Sequence, residues 1–190
     1  ARYPVQPGLS VRLPVLAHIQ ALLGPGMLLA AAYLLFAGTI AAWWRRLGEE
    51  PGGMPSRLYA AALLIPGCMM LLYGYFHVLH ELWAGMLIAL SLGLHRADPE
   101  KGGKWLAAFA AGALALAIRE LALPYVLLMA AMALWRGDRR EGAAWAGLAA
   151  VFLAALWVHV GLIDAQVRAG DVASGGWLQL RGLTGWTTNI

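Results

Sequence analysis

Residues 105–135 read WLAAFAAGALALAIRELALPYVLLMAAMALW, an apolar run broken by one charged dipeptide, Arg119-Glu120. As one helix the run would be about 46 Å long at 1.5 Å per residue, against a hydrocarbon core of about 30 Å. It is therefore expected to fold back as a helical hairpin, or to hold a short, partly inserted helix, with the charged pair at the break. Working outward, Leu58–Leu94 behaves the same way, interrupted over Phe76–Glu81. Six apolar segments result: Met27–Trp44, Leu58–Gly74, Leu79–Leu94, Trp105–Ile118, Leu121–Trp135 and Ala143–Ile163. The first, second and sixth reach the roughly 17–25 residues of a spanning helix, and the other three are short. The expected fold is all-α, a polytopic transmembrane bundle of about six segments, some short or broken.

Composition points the same way. The 190 residues are 61% hydrophobic and 13% charged, with a mean hydropathy of +0.66. Soluble domains run near 45–50% apolar and about 25% charged, so a soluble protein of this composition could not cover its surface. The net charge of +4 would suggest nucleic acid in a soluble protein. Here placement matters more than the sum, and no nucleic-acid partner is expected. Nine of the 14 Lys and Arg lie in three loops, as Arg45, Arg46 and Arg57, then Arg96, Lys101 and Lys104, then Arg136, Arg139 and Arg140. If every segment crosses, all three loops fall on one side, and basic loops stay cytoplasmic. Residues 1–26, the two charged junctions and residues 164–190 then lie on the non-cytoplasmic side of a cell membrane. The chain divides into an external arm (1–26), a helical bundle (27–163) and an external loop or tail (164–190). Trp43, Trp44, Trp105, Trp135 and Trp145 sit at the cytoplasmic ends like an interfacial belt. Gly24-Pro25-Gly26 marks a break before the first segment. Cys68 is the single cysteine, so neither an intrachain disulfide nor a Cys-based metal motif is expected. The chain starts at Ala1 without a signal-peptide layout, and we expect a segment upstream.

The unusual polar residues collect on the external side. His77, His80 and Glu81 share one helical face. Arg119 and Glu120 interrupt their own run at the same depth, and Tyr3, Arg12 and His18 belong to the arm. Charge near hydrocarbon is costly and usually faces a cavity or a partner. Plainer readings stand beside this one. Arg119 and Glu120 suit a loop pair at the water interface, His77 an interfacial ring, and Glu81 a helix-start carboxylate favoured by the macrodipole. His159 inside the sixth segment suits packing or an interhelical hydrogen bond. The stretch His77–Glu81 could also supply two or three metal ligands from one face; with two, a third protein ligand such as His18 or Glu120 would be needed. No organic cofactor is required, and a divalent metal is the one candidate.

The order of features resembles the GT-C superfamily of membrane glycosyltransferases. The likeness starts at Tyr3-Pro4 and Arg12-Leu13-Pro14, and continues through Trp43-Trp44-Arg45-Arg46 and His80-Glu81-Leu82-Trp83-Ala84-Gly85. It is densest at Leu116-Ala117-Ile118-Arg119-Glu120-Leu121-Ala122-Leu123-Pro124 and ends near Ser174-Gly175-Gly176-Trp177-Leu178. The resemblance implies sugar transfer from a polyprenyl-phosphate donor at the non-cytoplasmic face, with membrane lipid as surroundings. It implies Glu81, then Glu120, as the catalytic carboxylates. Arg119 or Arg12 would bind phosphate, and His77 or His80 a sugar hydroxyl or the phosphate. Gly85, Gly112 and Ala115 would leave room for the lipid tail. This chain departs from the family in having no acidic residue before Glu49, where the family usually carries its principal acid. Two other classes remain open. One is a transporter or channel-like subunit built on the broken 105–135 stretch. The other is a non-catalytic assembly subunit.

Overall fold

The computed structural model describes residues 13–48, 53–68, 78–96 and 105–168. Among these the chain is entirely helical. Six α-helices succeed one another: α1 (Val15–Leu47), α2 (Gly53–Cys68), α3 (His80–Leu94), α4 (Leu106–Ile118), α5 (Leu123–Trp135) and α6 (Arg139–Asp164). A single 3₁₀ turn, Glu120–Ala122, joins α4 to α5. Leu13–Ala154 forms one compact unit. In the other unit the described residues are 155–168, which comprise the last turns of α6 and a short stretch beyond Asp164.

By length and composition two helices, α1 and α6, are long and apolar enough to cross a membrane. The first and sixth of the three segments expected to qualify are matched by these two helices. The second segment was read to Gly74, but α2 has 16 residues and residues 69–77 lie outside the described ones. The short third, fourth and fifth segments correspond to α3, α4 and α5, of 15, 13 and 13 residues.

The expected break at Gly24-Pro25-Gly26 is present, but inside α1 rather than before it. Gly24 takes φ 73°, ψ 167°, outside helical geometry. Pro25 lacks an N–H, which costs nothing in the first turn of the helix that restarts there. The stretch 25–47 is about 34 Å long, a membrane-spanning length by itself. Residues 15–23, read as part of an external arm, are a short helix of their own. Leu16 is buried in the core and Ile19 packs against it.

α1 lies along α3 through one face. Thr39 Oγ1 donates to the Met86 carbonyl at 3.4 Å, and Trp43 Nε1 to that of Ala89 at 2.8 Å. Arg46 donates to the carbonyls of Leu92 and His95. The Arg46 guanidinium thus satisfies the orphan carbonyls at the end of α3, where positive charge also suits the helix dipole. Gly93 makes the approach possible: a Cβ there would lie 3.1 Å from that of Ala42 and 3.2 Å from the Trp43 ring.

α4 stops at Arg119, whose backbone is extended at φ −143°, ψ 118°. Pro124 explains why the helix cannot run on. It has no N–H for the Glu120 carbonyl, yet fits the first turn of a new helix. The expected fold-back is therefore present. The end of α4 and the start of α5 lie beside the start of α3, and the end of α5 beside the end of α3.

The α5–α6 turn is closed by two residues. Gly137, at φ 82°, donates to Leu134, and Asp138 to Ala133, which together satisfy the last carbonyls of α5. Asp138 Oδ1 then accepts the N–H groups of Arg140 and Glu141 at 3.1 and 3.0 Å and caps α6. Trp145 was expected in an interfacial belt but is fully buried. Its ring packs edge-on to Phe109 and Tyr125. Trp44 and Trp135 are exposed, as belt residues would be.

Candidate functional site

The start of α3, the end of α4 and the 3₁₀ turn bring three charged side chains together. Arg119 Nη2 lies 3.1 Å from Glu81 Oε1, and Arg119 Nη1 lies 2.9 Å from Glu120 Oε1. The guanidinium is buried, with 7% of its side chain exposed, while Glu120 is 19% exposed and Glu81 46%. One cation is therefore flanked by two carboxylates, and the outer carboxylate faces outward. Glu81 lies in the first turn of α3, which has no side-chain cap and takes Leu79 as its N-cap. Its helix-start position and its Arg119 contact both place positive electrostatic potential beside the carboxylate.

Local structure holds the guanidinium in place. The Arg119 N–H donates to the Ala115 carbonyl, and its own carbonyl accepts from Ala122. The backbone is thereby tied to α4 on one side and to the turn on the other. Burial among Ile118, Ala122 and the core leaves little rotational freedom. A buried arginine with both terminal nitrogens on carboxylates is well suited to hold those carboxylates in one orientation.

His80 is the first residue of α3, next to Glu81. Arg12 and His77 lie outside the described residues. His18, in the short first part of α1, donates from Nδ1 to the Pro14 carbonyl at 2.7 Å. Among the described residues no group of three metal-ligating side chains gathers, and the proposed His77 ligand falls outside them. Three small residues were expected to leave room for a lipid tail. Ala115 is buried in the core, and Gly112 is occupied by Trp145, whose ring would lie 2.7 Å from a Cβ there. Gly85 is exposed with open space beside it. His159, on the last part of α6, has no hydrogen-bond partner for Nε2 among the described residues.

No family model, curated protein or solved structure matches this chain. The functional argument rests on the site itself.

A second polar cluster lies about 21 Å away along α3, and sequence reasoning missed it. Glu141 is 2% exposed. Its Oε1 accepts from His95 Nε2 at 2.8 Å and from Trp145 Nε1 at 3.1 Å, and its Oε2 from Arg136 at 3.0 Å. One turn back along α3, Tyr125 donates to Ser91 Oγ at 2.6 Å, and Ser91 donates to the Ala108 carbonyl at 2.6 Å. These groups satisfy one another in a packed interior. Their chemistry is that of a structural clasp joining α3, α4, α5 and α6. The signal that could have found it is Gly137-Asp138 with Glu141 three residues on, a helix stop and restart that places the glutamate in a first turn.

Proposed function

We propose that this chain belongs to a polytopic membrane transferase of GT-C type, which moves a sugar from a polyprenyl-phosphate donor to an acceptor hydroxyl at the non-cytoplasmic face. The observation that carries this reading is the half-exposed Glu81 carboxylate held by buried Arg119.

The bilayer reading supports it through length. α3 is about 22 Å long, and α4 and α5 about 20 Å each, against a hydrocarbon core of about 30 Å. Arg46, Arg136, Arg139 and Arg140 gather where α1, α3 and α5 end and α6 begins. With that end among cytoplasmic headgroups, Glu81, Arg119 and Glu120 lie about 8–10 Å short of the opposite boundary. Charged groups at that depth need a watered recess or a thinned bilayer. A recess opening sideways to lipid suits a substrate whose reactive phosphate sits on a long apolar tail.

In the transfer, the bond from the sugar anomeric carbon to the donor phosphate oxygen breaks. A bond from that carbon to the acceptor oxygen forms, and polyprenyl phosphate leaves. Glu81 accepts the acceptor hydroxyl's proton. Arg119 orients the carboxylate. The phosphate role given to Arg119 by the resemblance would require displacing a carboxylate from Nη1 or Nη2, so a positioning role suits this geometry better. His80, beside Glu81, and Arg12 and His77 remain candidates for the donor's phosphate and sugar.

The test uses the full-length protein in nanodiscs, supplied with a polyprenyl-phosphate sugar. Glu81→Gln is expected to abolish transfer with donor binding retained. Arg119→Lys, which keeps the charge but loses the fork, is expected to lower kcat at nearly constant KM. Full activity of Glu81→Gln would remove Glu81 from the mechanism. A second reading is a non-catalytic assembly subunit. It is favoured by the pairing of both Arg119 terminal nitrogens, which by itself clasps α3 to the α4–α5 turn. Absence of donor binding by the wild-type protein would put that reading first.

A further inference from the structure

The three basic loops look alike in sequence, each mixing arginine or lysine with acids: Glu49 and Glu50, Asp98 and Glu100, Asp138 and Glu141. Only the α5–α6 turn lies wholly within the described residues, and there both acids are engaged within the turn. Asp138 is engaged by the backbone N–H groups of Arg140 and Glu141. Glu141 is buried and engaged by His95, Arg136 and Trp145. Arg139 and Arg140 are both exposed, and neither has an acidic partner among the described residues. The turn therefore presents cations outward although its sequence carries acids too.

Beside these arginines stands Trp135, 93% exposed at the last position of α5. The helix faces leading to the turn are apolar and exposed, through Leu128, Met132 and Leu134 on α5 and Val151 and Leu153 on α6. A polar partner would meet cations at the turn but hydrocarbon side chains directly below. A phospholipid matches both, with its tails against the helix faces and its phosphate at the arginines. The indole is suited to the boundary between them.

We propose that the α5–α6 turn is a binding site for anionic phospholipid headgroups, formed by Arg139, Arg140 and Trp135. The site rests on the membrane reading above, and it is independent of the sugar-transfer chemistry. Its selectivity arises from net lipid charge, because a zwitterionic headgroup brings its own ammonium to the phosphate. A basic residue near an anionic surface strengthens association by about fivefold at low salt, and this fades within a Debye length as salt is added.

The test measures lipid selectivity at the protein boundary. The full chain is placed in phosphatidylcholine bilayers containing trace spin-labelled phosphatidylglycerol or phosphatidylcholine, and the motionally restricted fraction of each label is compared. The expected result is a several-fold preference for phosphatidylglycerol that falls with salt. R139Q/R140Q should lose most of it and R139K/R140K should keep it. Both positions are exposed, and helical content by circular dichroism checks that the variants fold. Equal restriction of the two labels would overturn the proposal while leaving the membrane reading standing. So would a preference that survives R139Q/R140Q, or one that salt does not touch. No restricted lipid of either kind would overturn the proposal and the membrane reading together, whatever the transfer assay gives.

Discussion

At the start of α3 a buried guanidinium is shared by two carboxylates, one of which, Glu81, is half exposed. At its end a buried carboxylate is shared by an imidazole, an indole and a guanidinium. Both clusters join several helices and both contain an Arg–Glu contact. They differ in which partner is enclosed. When the anion is inside and surrounded by donors, as Glu141 is by three, it is enclosed and serves to hold the fold together. When the cation is inside, a partner carboxylate such as that of Glu81 stays half exposed at the surface of the cluster. The position of the buried charge, more than the presence of an ion pair, separates a structural centre from a candidate site.

That contrast can be broken most easily at Glu141. Glu141→Ala leaves His95, Trp145 and Arg136 without their common acceptor, and is expected to cost about 3–5 kcal/mol, the range for breaking a buried pair. Denaturant unfolding in detergent measures it, and a loss below about 1 kcal/mol would mean that the cluster does not carry this end of the fold. Gly112→Ala forces a methyl against the Trp145 ring at 2.7 Å. Overpacking of that kind costs about 1–3 kcal/mol and should lower Tm, with any shift of tryptophan emission toward the red as the buried ring is displaced. Gly137→Ala, at φ 82°, should cost about 1 kcal/mol with the site end unaffected. The smallest stability effect is expected from Glu81→Gln, below about 1 kcal/mol for a half-exposed pair, although the same change should abolish transfer. A large loss of stability at Glu81 with activity intact would reverse the distinction between the two ends.

Much of the fold was legible because hydrophobic runs and their interruptions depend on local sequence. Six apolar segments became six helices, and the break at Arg119-Glu120 became a turn because Pro124 forbids a continuous helix. Glu81 and Arg119 were expected at one depth, and they meet at 3.1 Å. The features that escaped notice depended on partners distant in sequence. Glu141 comes directly after Arg139 and Arg140, and nothing nearby in sequence shows that His95 closes over it. Trp145 near a segment end read as an interfacial residue, when the missing side chain of Gly112 admits it to the core. Gly112 in turn read as room for a lipid, because sequence shows a small residue but not what fills the space. The orientation of Arg119, with both terminal nitrogens occupied, is likewise a three-dimensional fact.

The closed α5–α6 turn also bears on how the chain is built. A glutamate that becomes buried is expensive until it gains partners. Arg136 precedes Glu141 by five residues and pairs with it across the turn, so the two charges can neutralise each other before α6 is complete. Synthesis proceeds from the N-terminus, so His95 on α3 is already in place when Glu141 emerges. In biogenesis the order of the helices thus matches the order in which this carboxylate acquires its partners, so that α5 and α6 are best folded as a pair.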